Sequence, residues 1–232
     1  MSLLIIVPAR GGSKRLPGKN MRLLGGRTLL EHTANAILES GIEATCVLTT
    51  DDEHVADHGR SLGWQVPFLR PVELAQDESS TEAAVLHSLD WYACAYDGDP
   101  EALMVLQPTS PLRRGERITQ AKSLLDAHGN AKAVLGVRRL GVSTAHVLTL
   151  SREGFLQNQG EAVSVPAFIP NGAMYLVRSD AFREVGSLTP LNTMALEMGA
   201  AESIDIDTED DWRMAEAVLA GLPHSIKEGP VT

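Results

Sequence analysis

Four short apolar runs, at residues 3–7, 45–48, 103–106 and 133–137, alternate along this chain with amphipathic stretches. A run that is apolar at nearly every position suits a strand buried on both faces. The stretches between carry hydroxyl residues followed three positions later by an acid, namely Thr28 with Glu31, Ser79 with Glu82 and Thr208 with Asp211, and each such box is expected to open a helix. Alternation of this kind restricts the chain to βαβ units with right-handed crossovers, hence to an α/β fold whose mostly parallel sheet is covered by helices on both faces. Ligands of such folds sit at the carboxyl ends of the strands. Between 141 and 167 the pattern loosens into short strand-like pieces and a Gly- and Gln-containing turn at 154–160. The expectation is one domain over 1–232 with a small excursion at about 140–170. Helical rhythm returns at Ser179–Val185, and a strand-like segment at 203–207 leads into the last helix.

A chain of 232 residues, 44% of them hydrophobic, can bury a full core. No apolar run approaches the roughly 20 residues that span a bilayer, so a soluble, cytoplasmic protein is expected. The net charge of −10 argues against nucleic acid or an anionic membrane as partner. Its distribution says more: residues 1–30 hold Arg10, Lys14, Arg15, Lys19, Arg22 and Arg27 and no acid. Cys46 and Cys94 have neither metal-ligand nor disulfide spacing and read as core thiols. The histidines lie apart from any nucleophile pattern, and Met194, Met198, Trp91 and Tyr92 read as packing residues.

The cations cluster in the loop that follows the first strand, Pro8-Ala9-Arg10-Gly11-Gly12-Ser13-Lys14-Arg15-Leu16-Pro17-Gly18-Lys19-Asn20. It is not a P-loop, because five residues separate Gly12 from Gly18 and Asn20 follows Lys19. Nor is it a dinucleotide fingerprint, since Pro17 and a helix start near Thr28 leave a long irregular loop where that motif enters a helix at once. What remains is a strand, a Gly-Gly turn able to approach phosphate closely, and cations at Arg10, Lys14, Arg15 and Lys19, a cradle suited to a triphosphate.

Near the other end, strand alternation in Ser203-Ile204-Asp205-Ile206-Asp207 puts Asp205 and Asp207 on one face. Two carboxylates so placed suit Mg²⁺, which fills its octahedron with phosphate oxygens and waters. The same residues also suit a helix start, with Asp207 as cap and Asp210 and Asp211 complementing the dipole. In the stiff segment Gln107-Pro108-Thr109-Ser110-Pro111, the side chains of Gln107, Thr109 and Ser110 offer neutral hydrogen bonds at the ligand edge. Pro170-Asn171-Gly172 reads as a turn that joins a strand and presents Asn171 there. Either segment, taken alone, also reads as a plain structural turn.

Together these segments resemble the acylneuraminate cytidylyltransferase family. The resemblance is carried, in the family's order, by PARGGSKRLPGKN at 8–20, RPVELAQDESST at 70–81, LQPTSPLR at 106–113 and SIDIDTEDD at 203–211, with PNGAMY at 170–175 a looser match. It implies a three-layer, Rossmann-like nucleotide-diphospho-sugar transferase fold and a homodimer formed partly through the excursion. The implied activity is transfer of CMP from CTP to a nonulosonic acid, a nine-carbon 2-keto sugar acid such as sialic or legionaminic acid. Related readings are an octulosonate or other sugar nucleotidyltransferase of the same fold, or an idle nucleotide-binding homologue.

Carried over by position, the resemblance makes Arg10 and Lys19 the main triphosphate contacts, helped by the Gly11-Gly12-Ser13 backbone and Arg15. It assigns Asn20, Arg70 and Ser80, with neighbouring Ser79 and Thr81, to cytosine and ribose. Gln107, Thr109, Ser110, Asn171 and Tyr175 fall on the sugar side, and Asp205 and Asp207 match Mg²⁺ ligands. The chain departs from the family before PNG. Residues 142–169 hold Arg152, His146 and no Lys, and Ile169 stands where an Arg often precedes that turn.

Overall fold

The computed structural model describes residues 2–76, 78–143, 148–150, 156–158 and 165–221. The chain runs through β1 (Leu3–Pro8), the hairpin β2 (Leu23–Leu24) and β3 (Arg27–Thr28), α1 (Leu29–Ser40), β4 (Thr45–Thr49), α2 (Glu53–Ser61) and α3 (Thr81–Tyr96). It continues through β5 (Ala102–Val105), α4 (Gly115–Ala127), β6 (Ala133–Ser143), β7 (Leu148–Leu150) and β8 (Leu156–Asn158). The remaining elements are β9 (Pro166–Arg178), α5 (Ser179–Val185), β10 (Thr193–Glu197) and α6 (Glu209–Gly221). All four apolar runs are strands. They lie in a six-stranded sheet of order β10-β6-β9-β5-β1-β4, in which β9 runs antiparallel to its neighbours β5 and β6 and the other pairings are parallel.

Strand β1 shows why a continuous apolar run is needed. Leu3, Ile5 and Val7 pack with residues of α1, α2 and α4, whereas Leu4 and Ile6 pack with α3 and α5, so successive side chains enter cores on opposite faces. Burying each such side chain is worth about 2 kcal/mol. The three-layer α/β architecture follows from these two cores. A third cluster, comprising Leu16, Leu24, Ile204, Ile206, Trp212 and Leu219 among others, seats α6 against the β2–β3 hairpin at the edge of the cationic loop. Among the described residues, no helix is long and apolar enough to cross a membrane.

Four local expectations change. The box at Thr28 and Glu31 is complete, but α3 is capped by Ser80, whose Oγ accepts from Ala83 N at 3.1 Å; Ser79 donates instead to the Glu73 carbonyl at 2.7 Å. Segment 203–207 joins no sheet. It crosses the carboxyl edge of the strands, tied by Ile206 N–H to the Thr109 carbonyl at 2.7 Å, while Ile204 and Ile206 anchor in the third cluster. PNG is not a turn before a strand but lies inside β9, at a bulge where the register with β6 shifts and Gly172 takes φ +72°. The strands β6 and β9 extend into the expected excursion, in which β7 and β8 pair antiparallel; the turn expected at 154–160 otherwise lies outside the described residues. Of the two thiols, Cys46 is half-buried, with burial pushing its pKa up to about 11, but Cys94 is exposed rather than a core residue.

Candidate active site

The loop after β1 is pinned residue by residue. Ala9 N–H donates to the Thr49 carbonyl at 3.1 Å, the Arg10 carbonyl accepts from Asn20 Nδ2 at 3.0 Å, and Gly11 N–H donates to Asp51 Oδ1 at 2.9 Å. With its backbone held on both sides, Arg10 lines a cleft of about 330 Å³ at the carboxyl edge of the sheet. Gly11 does not take a positive φ; it is small because a Cβ there would stand 2.6 Å from Asp52 Oδ2. The Gly11 amide, expected on the triphosphate, is thus engaged with Asp51, and Ser13 N–H turns back to the Gly11 carbonyl at 3.1 Å. Gly12 faces open space. Gly18, at φ +67°, then starts the 3₁₀ turn that carries Lys19 and Asn20 into the same cleft.

Opposite the loop lie Arg70, Ser79, Ser80 and Thr81. Arg70 is only 7% exposed, and its guanidinium is fastened to Thr49 through Nε to Oγ1 at 3.1 Å and Nη2 to the carbonyl. Burial lowers its pKa, Asp51 counteracts that, and Arg10 adds to it by like-charge repulsion. Ser79 and Ser80 use their hydroxyls on the Glu73 carbonyl and the α3 cap respectively, and Thr81 begins the helix.

Asp205 and Asp207 both line the cleft, as do Gln107 and Thr109. The cap of α6 is a reciprocal pair: Thr208 N–H donates to Asp211 Oδ2 at 2.8 Å, and Asp211 N–H donates to Thr208 Oγ1 at 3.3 Å. Asp207 is therefore not the helix cap, and its carboxylate points across the cleft. Lys19 Nζ meets Asp207 Oδ1 at 2.9 Å and the Ile206 carbonyl at 2.8 Å, while Arg15 Nη2 reaches Asp207 Oδ2 at 2.9 Å. Partial burial of the Asp205 carboxyl raises its pKa; a hydrogen bond from Thr109 opposes the rise, neighbouring Asp207 adds to it, and Lys19 opposes it.

Two expected sugar-side residues, Ser110 and Asn171, are buried away from the cleft. Ser110 is 0% exposed and its Oγ has no hydrogen-bond partner among the described residues, because the Pro108–Pro111 segment folds that side chain inward. Asn171 is 6% exposed; its amide donates to Ser203 Oγ at 3.1 Å and its Oδ1 accepts from Ala173 N–H at 3.1 Å, so it ties the β9 bulge to the segment bearing Asp205. Tyr175 packs against the α3 side of the core, with its phenol pKa raised by burial and by Asp205 and Glu82. Gly172 sits between two cleft residues: a Cβ there would lie 3.1 Å from both Asp205 Oδ2 and Gln107 Oε1.

Sequence reasoning missed two supports. Thr49-Thr50-Asp51-Asp52 leaves β4 at the same edge as the cationic loop and holds both Arg10's loop and Arg70; its position after a strand parallel to β1 was the available signal. Arg113, from LQPTSPLR, is fully buried with its pKa pushed down to about 9 by that burial, and it donates through Nη1 to the carbonyls of Ala173 at 2.5 Å and Gln107 at 3.3 Å. It clamps the Gln107 loop to the β9 bulge.

This arrangement has known counterparts. The family model for cytidylyltransferases matches residues 4–155. The CMP-N,N'-diacetyllegionaminic acid synthase of Legionella pneumophila subsp. pneumophila is 33% identical over 227 residues, an alignment covering 94% of this chain and 97% of that protein. The N-acylneuraminate cytidylyltransferase of Streptococcus agalactiae serotype V is 29% identical over 221 residues, covering 91% of this chain and 52% of that protein, so the chain spans about half of that longer relative. Among solved structures, a CMP:2-keto-3-deoxy-manno-octonic acid synthetase complexed with CTP aligns with a TM-score of 0.70 at 16% identity, over 95% of this chain and 99% of the other, which is a likeness of fold.

Proposed function

The chain belongs to the cytidylyltransferase family, and from that membership we propose that its cleft transfers the CMP group of CTP to the anomeric hydroxyl of a nonulosonic acid. The hydroxyl oxygen attacks the α-phosphorus, the bond to the bridging oxygen of the β-phosphate breaks, and pyrophosphate leaves. The observation that carries this reading is the convergence of a cationic loop and two carboxylates from opposite ends of the sequence on one cleft, with Lys19 Nζ 2.9 Å from Asp207 Oδ1. A lysine ammonium has three donors, and two are engaged with the Ile206 carbonyl and Asp207, so one is left to meet a phosphate oxygen. Arg10 lines the same wall and would neutralise charge on the leaving pyrophosphate. Positioning and charge neutralisation supply most of the catalysis in transfers of this kind.

The donor set of Asp205 and Asp207 fits Mg²⁺ held mainly through a triphosphate. No group of three or more His, Cys, Asp or Glu is placed to hold a metal among the described residues, and two hard carboxylates are what this ion usually takes from a protein when phosphate oxygens and waters complete its shell. Bound there, Mg²⁺ would offset phosphate charge and lower the pKa of the attacking hydroxyl.

Within the nonulosonic acids, a legionaminic-type acceptor is the reading best supported. The excursion holds one Arg, Arg152, and no Lys with which to meet a sugar carboxylate, and the legionaminic acid synthase aligns along almost its whole length. A homodimer is proposed as well, on the exposed apolar side chains Val165, Phe168 and Ile169 at the outer end of β9. The test is a pyrophosphate-release screen with CTP fixed and N,N'-diacetyllegionaminic, N-acetylneuraminic, pseudaminic and 3-deoxy-octulosonic acids varied, then with UTP and GTP in place of CTP. Turnover is expected with CTP and highest with the legionaminic acid. Preference for UTP or GTP, or turnover with the octulosonic acid alone, overturns the assignment, and tight Mg·CTP binding without turnover on any acid marks an idle homologue.

A further inference from the structure

We propose that Asp51 is a positioning residue for the nucleotide end of the cleft, holding the cationic loop through the Gly11 amide in the same turn that fastens Arg70. The inference rests on the cytidylyltransferase reading and adds to it a residue outside the motifs that carry the family resemblance. Three consecutive residues of the loop are fixed, and β4 and its following turn fix two of them: Ala9 N–H goes to the Thr49 carbonyl and Gly11 N–H to Asp51 Oδ1. Between these two ties the backbone of Arg10 is held where its side chain lines the cleft. The same turn fastens Arg70 through Thr49 Oγ1 and the Thr49 carbonyl, and Arg70 N–H donates to the Thr50 carbonyl at 2.7 Å. One short turn thus sets the placement of two arginines that come from separate parts of the chain.

Those arginines repel each other, and Arg70 is buried. A buried cation beside a second cation is unfavourable unless a fixed negative charge stands nearby. Asp51 supplies that charge at Arg70 while its Oδ1 is used on the loop. The neighbouring carboxylate acts elsewhere. Asp52 caps α2 through Oδ1, accepting from His54 N–H at 2.8 Å and Val55 N–H at 3.1 Å, and fills the space that a side chain on Gly11 would need. Loss of Asp51 should therefore release the loop and raise the repulsion between the cations, degrading the CTP end of the cleft and leaving the sugar end, built from β9 and the 203–207 segment, in place.

The experiment compares Asp51→Ala and Asp51→Asn with wild type in the full chain. It reads KM for Mg·CTP and for the sugar acid, calorimetric Kd for Mg·CTP, and the thermal midpoint. Asp51→Ala is expected to raise KM and Kd for Mg·CTP by about tenfold or more, the scale of a hydrogen bond to a charged group, while KM for the sugar acid moves less than about twofold. Asp51→Asn keeps an acceptor for Gly11 without the charge and is expected to fall between the two; it also serves as the readable variant if Asp51→Ala does not fold. Unchanged Mg·CTP affinity in Asp51→Ala, or an equal rise in both KM values, overturns the proposal, since a merely structural role would not separate the substrates. Absence of turnover in wild type sinks the cytidylyltransferase reading alone, because the calorimetric loss in Asp51→Ala is read without turnover.

Discussion

Lys19 and Asp207 hold each other at 2.9 Å across 188 positions of sequence, and Lys19 is largely shielded from water. A charge partner fixed before substrate arrives avoids reorganisation at the moment of reaction. Lys19→Ala and Asp207→Ala are each expected to lower kcat/KM by about 10²-fold or more, measured by pyrophosphate release; near-normal rates in either variant would remove these residues from the mechanism. At this scale, the residue types and their spacing were readable. What each hydrogen bond does was not. Asn171 and Ser110 carry groups suited to a sugar, yet both turn inward, because a bulge inside β9 and a double-proline loop set their direction, and neither effect has a signature in local residue type.

At the scale of elements, α1 and α4 approach so closely that a Cβ on Gly115 would stand 2.7 Å from the Ala36 carbonyl oxygen and 2.7 Å from Ser40 N. Helix propensity favours Ala over Gly by up to about 1 kcal/mol, whereas forcing backbone apart costs about 1–3 kcal/mol. Gly115→Ala is therefore expected to destabilise the protein in denaturant unfolding, and a gain in stability would show that the helices can separate freely. The segment before Asp205 is joined to α4 by Glu202, which accepts from Arg117 Nη2 at 2.8 Å and Arg114 Nε at 3.0 Å. Burial alone would raise the Glu202 pKa, but the two arginines outweigh it and hold the carboxyl below its ordinary value of 4.5. The folded state thus binds the proton less readily than the unfolded chain. The contribution is present above 4.5 and is lost as pH falls through the lower folded value. Unfolding across that acid range should show a shallower pH slope in Glu202→Gln, together with a loss of about 2 kcal/mol at neutral pH, and an unchanged slope would exclude Glu202 as a source of acid sensitivity.

For the whole molecule, β6 and β9 carry their pairing out to Ser143 and Pro166, with Phe168 exposed under the Arg139 guanidinium at 4.9 Å. If this arm is the dimer contact, Phe168→Glu should shift the mass measured by light scattering from two chains to one with secondary structure unchanged; a wild-type monomer would refute the proposed dimer. The alternation of apolar runs and capped helices determined by itself that the chain is α/β with helices on both faces, since strands apolar on both sides have no other stable placement. The motifs likewise singled out the cations and paired acids that the fold gathers on one cleft. Tertiary structure alone decided that the acid segment crosses the strand ends instead of joining the sheet, that Thr208 and Asp211 leave Asp207 to Lys19, and that Asp51 reaches the Gly11 amide. Each depends on which strand ends lie side by side, and local spacing does not encode the sheet order that brings β4 beside β1 and the 203–207 segment beside Thr109.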